Sequence, residues 1–130
     1  MLKEITIQTN TQTQILDVTA QVQKIVEESG IIEGLCCVFV PHTTAGVTIN
    51  ENADPSVKQD IVKELNKVIP FDDNYSHLEG NSAAHIKASI IGSSVNIPVK
   101  HNNLILGIWQ GIYFCDFDGP RTRKYYVKII

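Results

Sequence analysis

The stretch His77-Leu78-Glu79-Gly80-Asn81-Ser82-Ala83-Ala84-His85 sets two imidazoles about a Gly-Asn-Ser turn. An imidazole binds divalent metal through either ring nitrogen and also exchanges protons near neutral pH. Asn81 or Ser82 can cap a helix, which places Asn81 and His85 on one face at i, i+4. His77 precedes the turn and could fold back over that face. His42 could join them if the apolar run before it ends beside the helix start. Three neutral imidazoles and a water would make an open zinc-type site, with Glu51 or Asp54 orienting or replacing a ligand. The spacing matches neither H-E-x-x-H nor H-x-H, so a capped helix with one satisfied histidine accounts for the same residues. His101 lies in a polar turn and reads as solvated.

Two further segments are polar where a plain core would not require it: Pro41-His42-Thr43-Thr44-Ala45-Gly46 and Asn50-Glu51-Asn52-Ala53-Asp54. The hydroxyls and amides of Thr43, Thr44, Asn50, Asn81 and Gln110 are candidate substrate contacts. Glu51, Asp54 and His85 are candidate catalytic groups. The helix start at Asn81-Ser82 has neutral capping residues, so its free N–H groups could hold a phosphate or carboxylate. Arg121 and Arg123, two apart on a strand, project to one face and could clamp that anion; a hairpin edge with solvated arginines is the plainer alternative. Trp109-Gln110, between Gly107 and Gly111, is either a stacking platform or a core or interface filler. No phosphate loop of the Walker or dinucleotide type and no nucleophile elbow is present.

The elements that must position these groups alternate. Glu4–Gln8 reads as a strand, and Asp17 caps a helix over Val18–Glu28 with Val18, Val22, Ile25 and Val26 on one face. Leu35–Val40 is a continuous apolar run, expected of a central strand buried on both faces. Gly46–Glu51 is a strand. Asp54 as N-cap and Pro55 at the first helical position open a second helix, with Val57, Ile61, Leu65 and Val68 as its buried stripe. A third helix runs from Asn81/Ser82 to Gly92. Val95–Val99, LILGIWQGIYFCDF and RTRKYYVKII are strands, the last two joined by a tight Asp118-Gly119-Pro120 connection. This order predicts one α+β domain over 1–130, a mainly antiparallel two-sheet sandwich with about three helices.

At 130 residues, 43% hydrophobic and net charge −3, the chain reads as globular and without the basic stripe that nucleic acid requires. No apolar run is long enough to span a bilayer, and the N-terminus alternates instead of forming a signal core, so a cytoplasmic location is expected. Cys36, Cys37 and Cys115 show no C-x-x-C spacing and read as small buried apolar residues.

HTTAGVTINENADPSV (42–57), HLEGNSAAHIKASIIGSSVNIPV (77–99) and LILGIWQGIYFCDFDGPRTR (104–123) together resemble the YjbQ-like family, some members of which are named secondary thiamine-phosphate synthases. The resemblance covers nearly the whole chain. Ile108 departs from a usual Gly-Thr-Trp-Gln motif, and Asn102-Asn103 from a usual Gly before the leucine. The resemblance implies a compact sandwich-like fold, a homotrimer, and a site near subunit contacts. Onto that site it carries His42, His77 and His85 as metal ligands, with Glu51, Asp54, Asn81 and Trp109 nearby. It implies joining a hydroxymethylpyrimidine diphosphate to a thiazole phosphate, releasing pyrophosphate. Three imidazoles suit zinc better than magnesium, whose ligands are oxygens. A metal-activated water attacking a phosphorylated or acyl substrate with Glu51 as base, or a non-catalytic oligomer holding a small anionic metabolite or a metal, fits the same residues.

Overall fold

In the computed structural model, which describes residues 1–130, the alternating and apolar runs become eight strands and three helices. They are β1 (Leu2–Gln8), β2 (Gln14–Asp17), α1 (Thr19–Ser29), β3 (Glu33–Phe39), β4 (Ala45–Glu51), α2 (Pro55–Val68), α3 (Ser82–Ile91), β5 (Ser94–Lys100), β6 (Asn103–Leu104), β7 (Gln110–Asp116) and β8 (Thr122–Ile129). One sheet has the order β1-β8-β3-β5-β6 and the other β2-β7-β4, with every pairing antiparallel. The α+β class with two antiparallel sheets and three helices is the expected one.

Strand periodicity builds the main core. Cys36 and Val38 of β3, Ile97 and Val99 of β5, and Tyr125, Val127 and Ile129 of β8 alternate inward from the larger sheet. They meet Val47, Ile112 and Phe114 of the smaller sheet, and Val22, Ile25 and Val26 of α1 complete the same core. Each such side chain contributes roughly 1.5–3 kcal/mol on burial. On the far face of the smaller sheet, Tyr113 and Cys115 of β7 pack against Ala84 and Ala88 of α3. The strand buried on both faces is therefore β7. β3 is central in its sheet, yet Leu35 and Phe39 are exposed and Cys37 is half-buried, because nothing covers the outer face.

Local chemistry sets the helix ends. Asp17 Oδ1 accepts from Thr19 N (2.9 Å), although Val18 holds the N-cap position and the helix begins one residue later than expected. Gly30 ends α1 with φ 70°, a left-handed conformation that glycine adopts without a Cβ penalty. α2 starts as its sequence predicts, with Asp54 Oδ1 accepting from Ser56 N at 2.9 Å and Pro55 following. Its apolar stripe is only half covered: Ile61 and Leu65 pack partly buried against the Tyr113–Cys115 cluster, Val57 is half-buried, and Val68 is exposed. The smaller sheet has only three strands, and α3 already occupies much of its outer face.

Two connections differ from the linear reading. Residues 104–117 are not one strand: the chain leaves β6 in the larger sheet, turns at Gly107–Gln110, and enters the smaller sheet as β7. The Asp118-Gly119-Pro120 turn likewise crosses between sheets, so β7 and β8 are not a hairpin. β8 lies between β1 and β3 and Arg123 is buried, which rules out the solvated-edge reading for Arg123, whereas Arg121 precedes the strand and is half-exposed. β2 is a short strand that the polar Thr/Gln surroundings of Gln14–Asp17 concealed.

Tyr125 is 1% exposed and its hydroxyl has no hydrogen-bond partner. Burial pushes its pKa up to about 12. Tyr125→Phe removes an unpaired buried polar group and should stabilise the fold by about 1 kcal/mol. Calorimetry would read this as a higher melting temperature; a fall of several degrees would contradict it.

Candidate functional site

The end of β3, the start of α3 and the β7–β8 crossing meet at one cleft of about 310 Å³. Its walls are Pro41–Thr44, Glu79, Asn81, His85, Asp118, Arg121 and Arg123. Backbone rules explain the meeting. Pro41 ends the β3 ladder, and His42 then takes the place of a strand partner: the Lys124 N–H donates to His42 Nε2 at 3.0 Å. The same nitrogen lies 3.1 Å from the Lys124 carbonyl oxygen, so Nε2 is engaged by the backbone and Nδ1 is the ring nitrogen left for other partners, as donor or acceptor according to the tautomer. Burial first, then the Arg123 charge, lowers the His42 pKa, so the ring is neutral at pH 7.

The floor of the cleft is a buried ion pair. Arg123 donates to Asp116 from Nε (3.2 Å) and from its terminal nitrogen (2.8 Å), and from that nitrogen to Thr44 Oγ1 (2.7 Å). Thr9 Oγ1 (2.7 Å) and the Asp118 N–H (2.9 Å) also donate to Asp116. Burial alone would raise the Asp116 pKa, but the bonds from Arg123, Thr9 and Asp118 and the Arg123 charge outweigh it and lower it. Arg121 is half-exposed and donates to the Asp118 backbone carbonyl (2.9 Å) and side chain (3.0 Å), which leaves three of its five N–H donors free.

The helix side of the cleft departs from expectation. Asn81 holds the N-cap position of α3 but makes no side-chain capping bond; its amide donates to Asp118 Oδ2 at 3.0 Å, and its Oδ1 is buried without a partner. The first turn of α3 carries no acidic residue, and the Ser82 and Ala83 N–H groups meet no backbone acceptor. Lys87, fully buried on α3, binds Asn66 Oδ1 and sits 3.6 Å from the Phe71 ring centroid, which ties α3 to the loop bearing His77. Burial lowers its pKa.

His77 and His85 meet edge to face with ring centroids 5.5 Å apart, and Glu79 Oε2 lies 3.8 Å from His77 Nε2. No three or more His, Cys, Asp or Glu side chains converge as metal ligands would. Within one chain His42, His77 and His85 do not form such a group.

The other sequence-selected residues gather elsewhere. β4 pairs with β7 from Ala45–Asp116 at the histidine end to Glu51–Gln110 at the other. Six residues of strand separate the two ends by about 20 Å. Asn50, Glu51, Asp54, Trp109 and Gln110 are at that far end, with Asp54 spent on its helix cap and Trp109 60% exposed. Thr43, Thr44, Asn81, Arg121 and Arg123 do join His42 and His85. Sequence reasoning missed Asp116 and Asp118. The signal was present in Asp116-Phe117-Asp118-Gly119-Pro120-Arg121-Thr122-Arg123, two acids and two arginines facing each other across a turn.

The same architecture occurs in known proteins. Residues 3–130 match the family model described as UPF0047 protein YjbQ-like. The chain belongs to the YjbQ/UPF0047 family. Among members of that family, a UPF0047 protein of Methanocaldococcus jannaschii is 52% identical over 100% of this chain and 94% of its own length. The UPF0047 protein YugU of Bacillus subtilis is 48% identical over 100% and 99%. A crystal structure of a YjbQ/UPF0047 protein from Clostridium acetobutylicum superposes with TM-score 0.97 at 55% identity, covering 98% of this chain and 99% of that one. A YbjQ-like protein of unknown function from Sulfolobus solfataricus gives 0.96 at 33% identity, with 99% and 95% covered. The YjbQ fold thus holds across wide sequence divergence. No helix of this member is long and apolar enough to cross a membrane.

Proposed function

We propose that this chain binds a small phosphorylated metabolite in the His42–His85–Arg121 cleft. The observation that carries the reading is the all-polar lining, with two guanidiniums and two imidazoles beside an uncapped helix start. Arg121 supplies free N–H donors, His42 presents a neutral ring, and the α3 terminus adds a partial positive charge. Neither ring nitrogen of His85 is held by a protein hydrogen bond, so His85 is the group suited to exchange a proton with a bound ligand. These roles belong to the chain's own groups, since the donors of one chain do not converge on a metal position.

The coupling reaction implied by family resemblance needs an aromatic face beside the anion site. Trp109 lies at the far end of β7, which favours binding, with proton transfer by His85, over that coupling within one chain. The homotrimer belongs to the same reading: the uncovered outer face of the larger sheet exposes Leu2, Leu35 and Phe39, a surface of the kind subunits bury. Sedimentation equilibrium would read its mass directly.

Calorimetric titration with inorganic phosphate and pyrophosphate tests the site. Binding should weaken at least tenfold in Arg121→Ala, which loses a charged donor worth about 1.5–3 kcal/mol. Wild-type protein that takes up neither anion would overturn the reading.

A further inference from the structure

A second cleft of about 410 Å³ adjoins the first, lined by His42, Thr43, Ala45, His85, Ala88, Ser89, Gly92 and Ser93. His42, Thr43 and His85 belong to both walls. The two clefts differ in chemistry. The first holds both arginines and two carboxylates; the second has no formal charge apart from any on the histidines. On α3, His85, Ala88, Ser89 and Gly92 follow at i, i+3, i+4 and i+7, so one helix face lines the second cleft.

We infer that the two clefts are halves of one ligand site, with the phosphate on the Arg121 side and a compact, uncharged, hydroxylated organic group between Thr43, Ser89 and Ser93. This rests on the phosphate-binding reading above and names its substrate class. The hydroxyl of Ser89 already donates to the His85 carbonyl at 2.9 Å, which leaves its lone pairs to accept from a ligand. Thr43 and Ser93 are exposed, and neither hydroxyl makes a hydrogen bond within the chain. Ala45, Ala88 and Gly92 bring the wall close, and Ala45 and Ala88 are buried, so the group admitted is short and flat-sided. The second cleft by itself is at the small end of metabolite sites, so the organic group it takes is small. Ser89 and Ser93 are then the specificity-determining residues.

Titration with inorganic phosphate, ribose 5-phosphate and phenyl phosphate separates the two claims. Wild-type protein should bind ribose 5-phosphate at least tenfold more tightly than phosphate, and phenyl phosphate no more tightly than phosphate. Ser89→Leu and Ser93→Val, both at exposed positions, should each remove most of the ribose 5-phosphate advantage and leave phosphate affinity unchanged. Phosphate binding with no gain from the ribose, or a gain that both variants retain, overturns the inference while the anion site stands. Failure of the wild type to bind any of the three ligands overturns both.

Discussion

Asp116→Ala should cost the fold about 3–5 kcal/mol, the typical penalty for removing one partner of a buried ion pair. Asp116 is 0% exposed and Arg123 5% exposed, so the substitution strands a guanidinium where water cannot replace the carboxylate. It also orphans the Asp118 N–H and removes the shorter of the two acceptors of the Thr9 hydroxyl. One carboxylate thus holds the β7–β8 crossing, the segment after β1 and, through Arg123, the segment before β4 together. Urea denaturation would show the loss as a lower midpoint. Replacing both partners, as Asp116→Leu with Arg123→Met, should restore much of the stability, since no buried charge is then left alone. A single substitution that leaves the midpoint unmoved would contradict the assignment.

The same pair sets an acid limit. The folded Asp116 pKa lies below its unfolded value, so the carboxylate's contribution is complete above about pH 4 and is lost as pH falls through the folded value. His42 acts in the same direction at higher pH. Its folded pKa is also depressed, so its share is complete above roughly pH 6.5 and is lost as pH falls through that folded value. Stability should therefore decline in two stages on acidification, and Asp116→Ala should flatten only the lower one.

Gly46→Ala should destabilise by about 2–4 kcal/mol and weaken phosphate binding at the same time. A Cβ at Gly46 would stand 2.5 Å from the Gly92 carbonyl oxygen and 3.2 Å from Ile91 Cγ2. Real side chains do not approach backbone oxygen so closely, so the end of α3 or β4 must move. The hydrogen bond from the Val47 N–H to that same carbonyl (3.0 Å) would be the first to break. Overpacking of this kind costs roughly 1–3 kcal/mol, and a broken hydrogen bond about 1 kcal/mol more. His85 is on α3, and His42 is fixed to β8 by the Lys124 backbone. Any shift of α3 therefore opens the gap between the two imidazoles. Chemical denaturation and phosphate titration of the folded variant check the two effects separately. An alanine that fits without either change would show that α3 does not pack on β4 this tightly.

Much of this architecture is legible along the chain because its causes are local. Asp54-Pro55 writes a helix start that needs no tertiary partner, and the alternation in Arg123-Lys124-Tyr125-Tyr126-Val127 states which side chains face inward. Burial on both faces belongs to β7, not to the strand that its apolar run singles out. Leu35–Val40 and Ile112–Cys115 are both apolar, and only the position of α3 decides which one has a second face covered. The stripe of α2 likewise carries the helical period but says nothing about the width of the sheet beneath it.

For the site, the sequence by itself determined the inventory: imidazoles at 42, 77 and 85, arginines at 121 and 123, and a neutral helix start at Asn81-Ser82. Only the tertiary structure decided which of them share a cleft. Strand register puts Ala45 opposite Asp116 and Glu51 opposite Gln110, so residues six apart on β4 belong to opposite ends of the molecule. Hydrogen-bond competition decided the rest. His42 is taken by the Lys124 backbone, Asn81 by Asp118 and Arg123 by Asp116, because a buried polar group binds whichever partner the fold brings nearest. Those partners lie 82, 37 and 7 residues away along the chain.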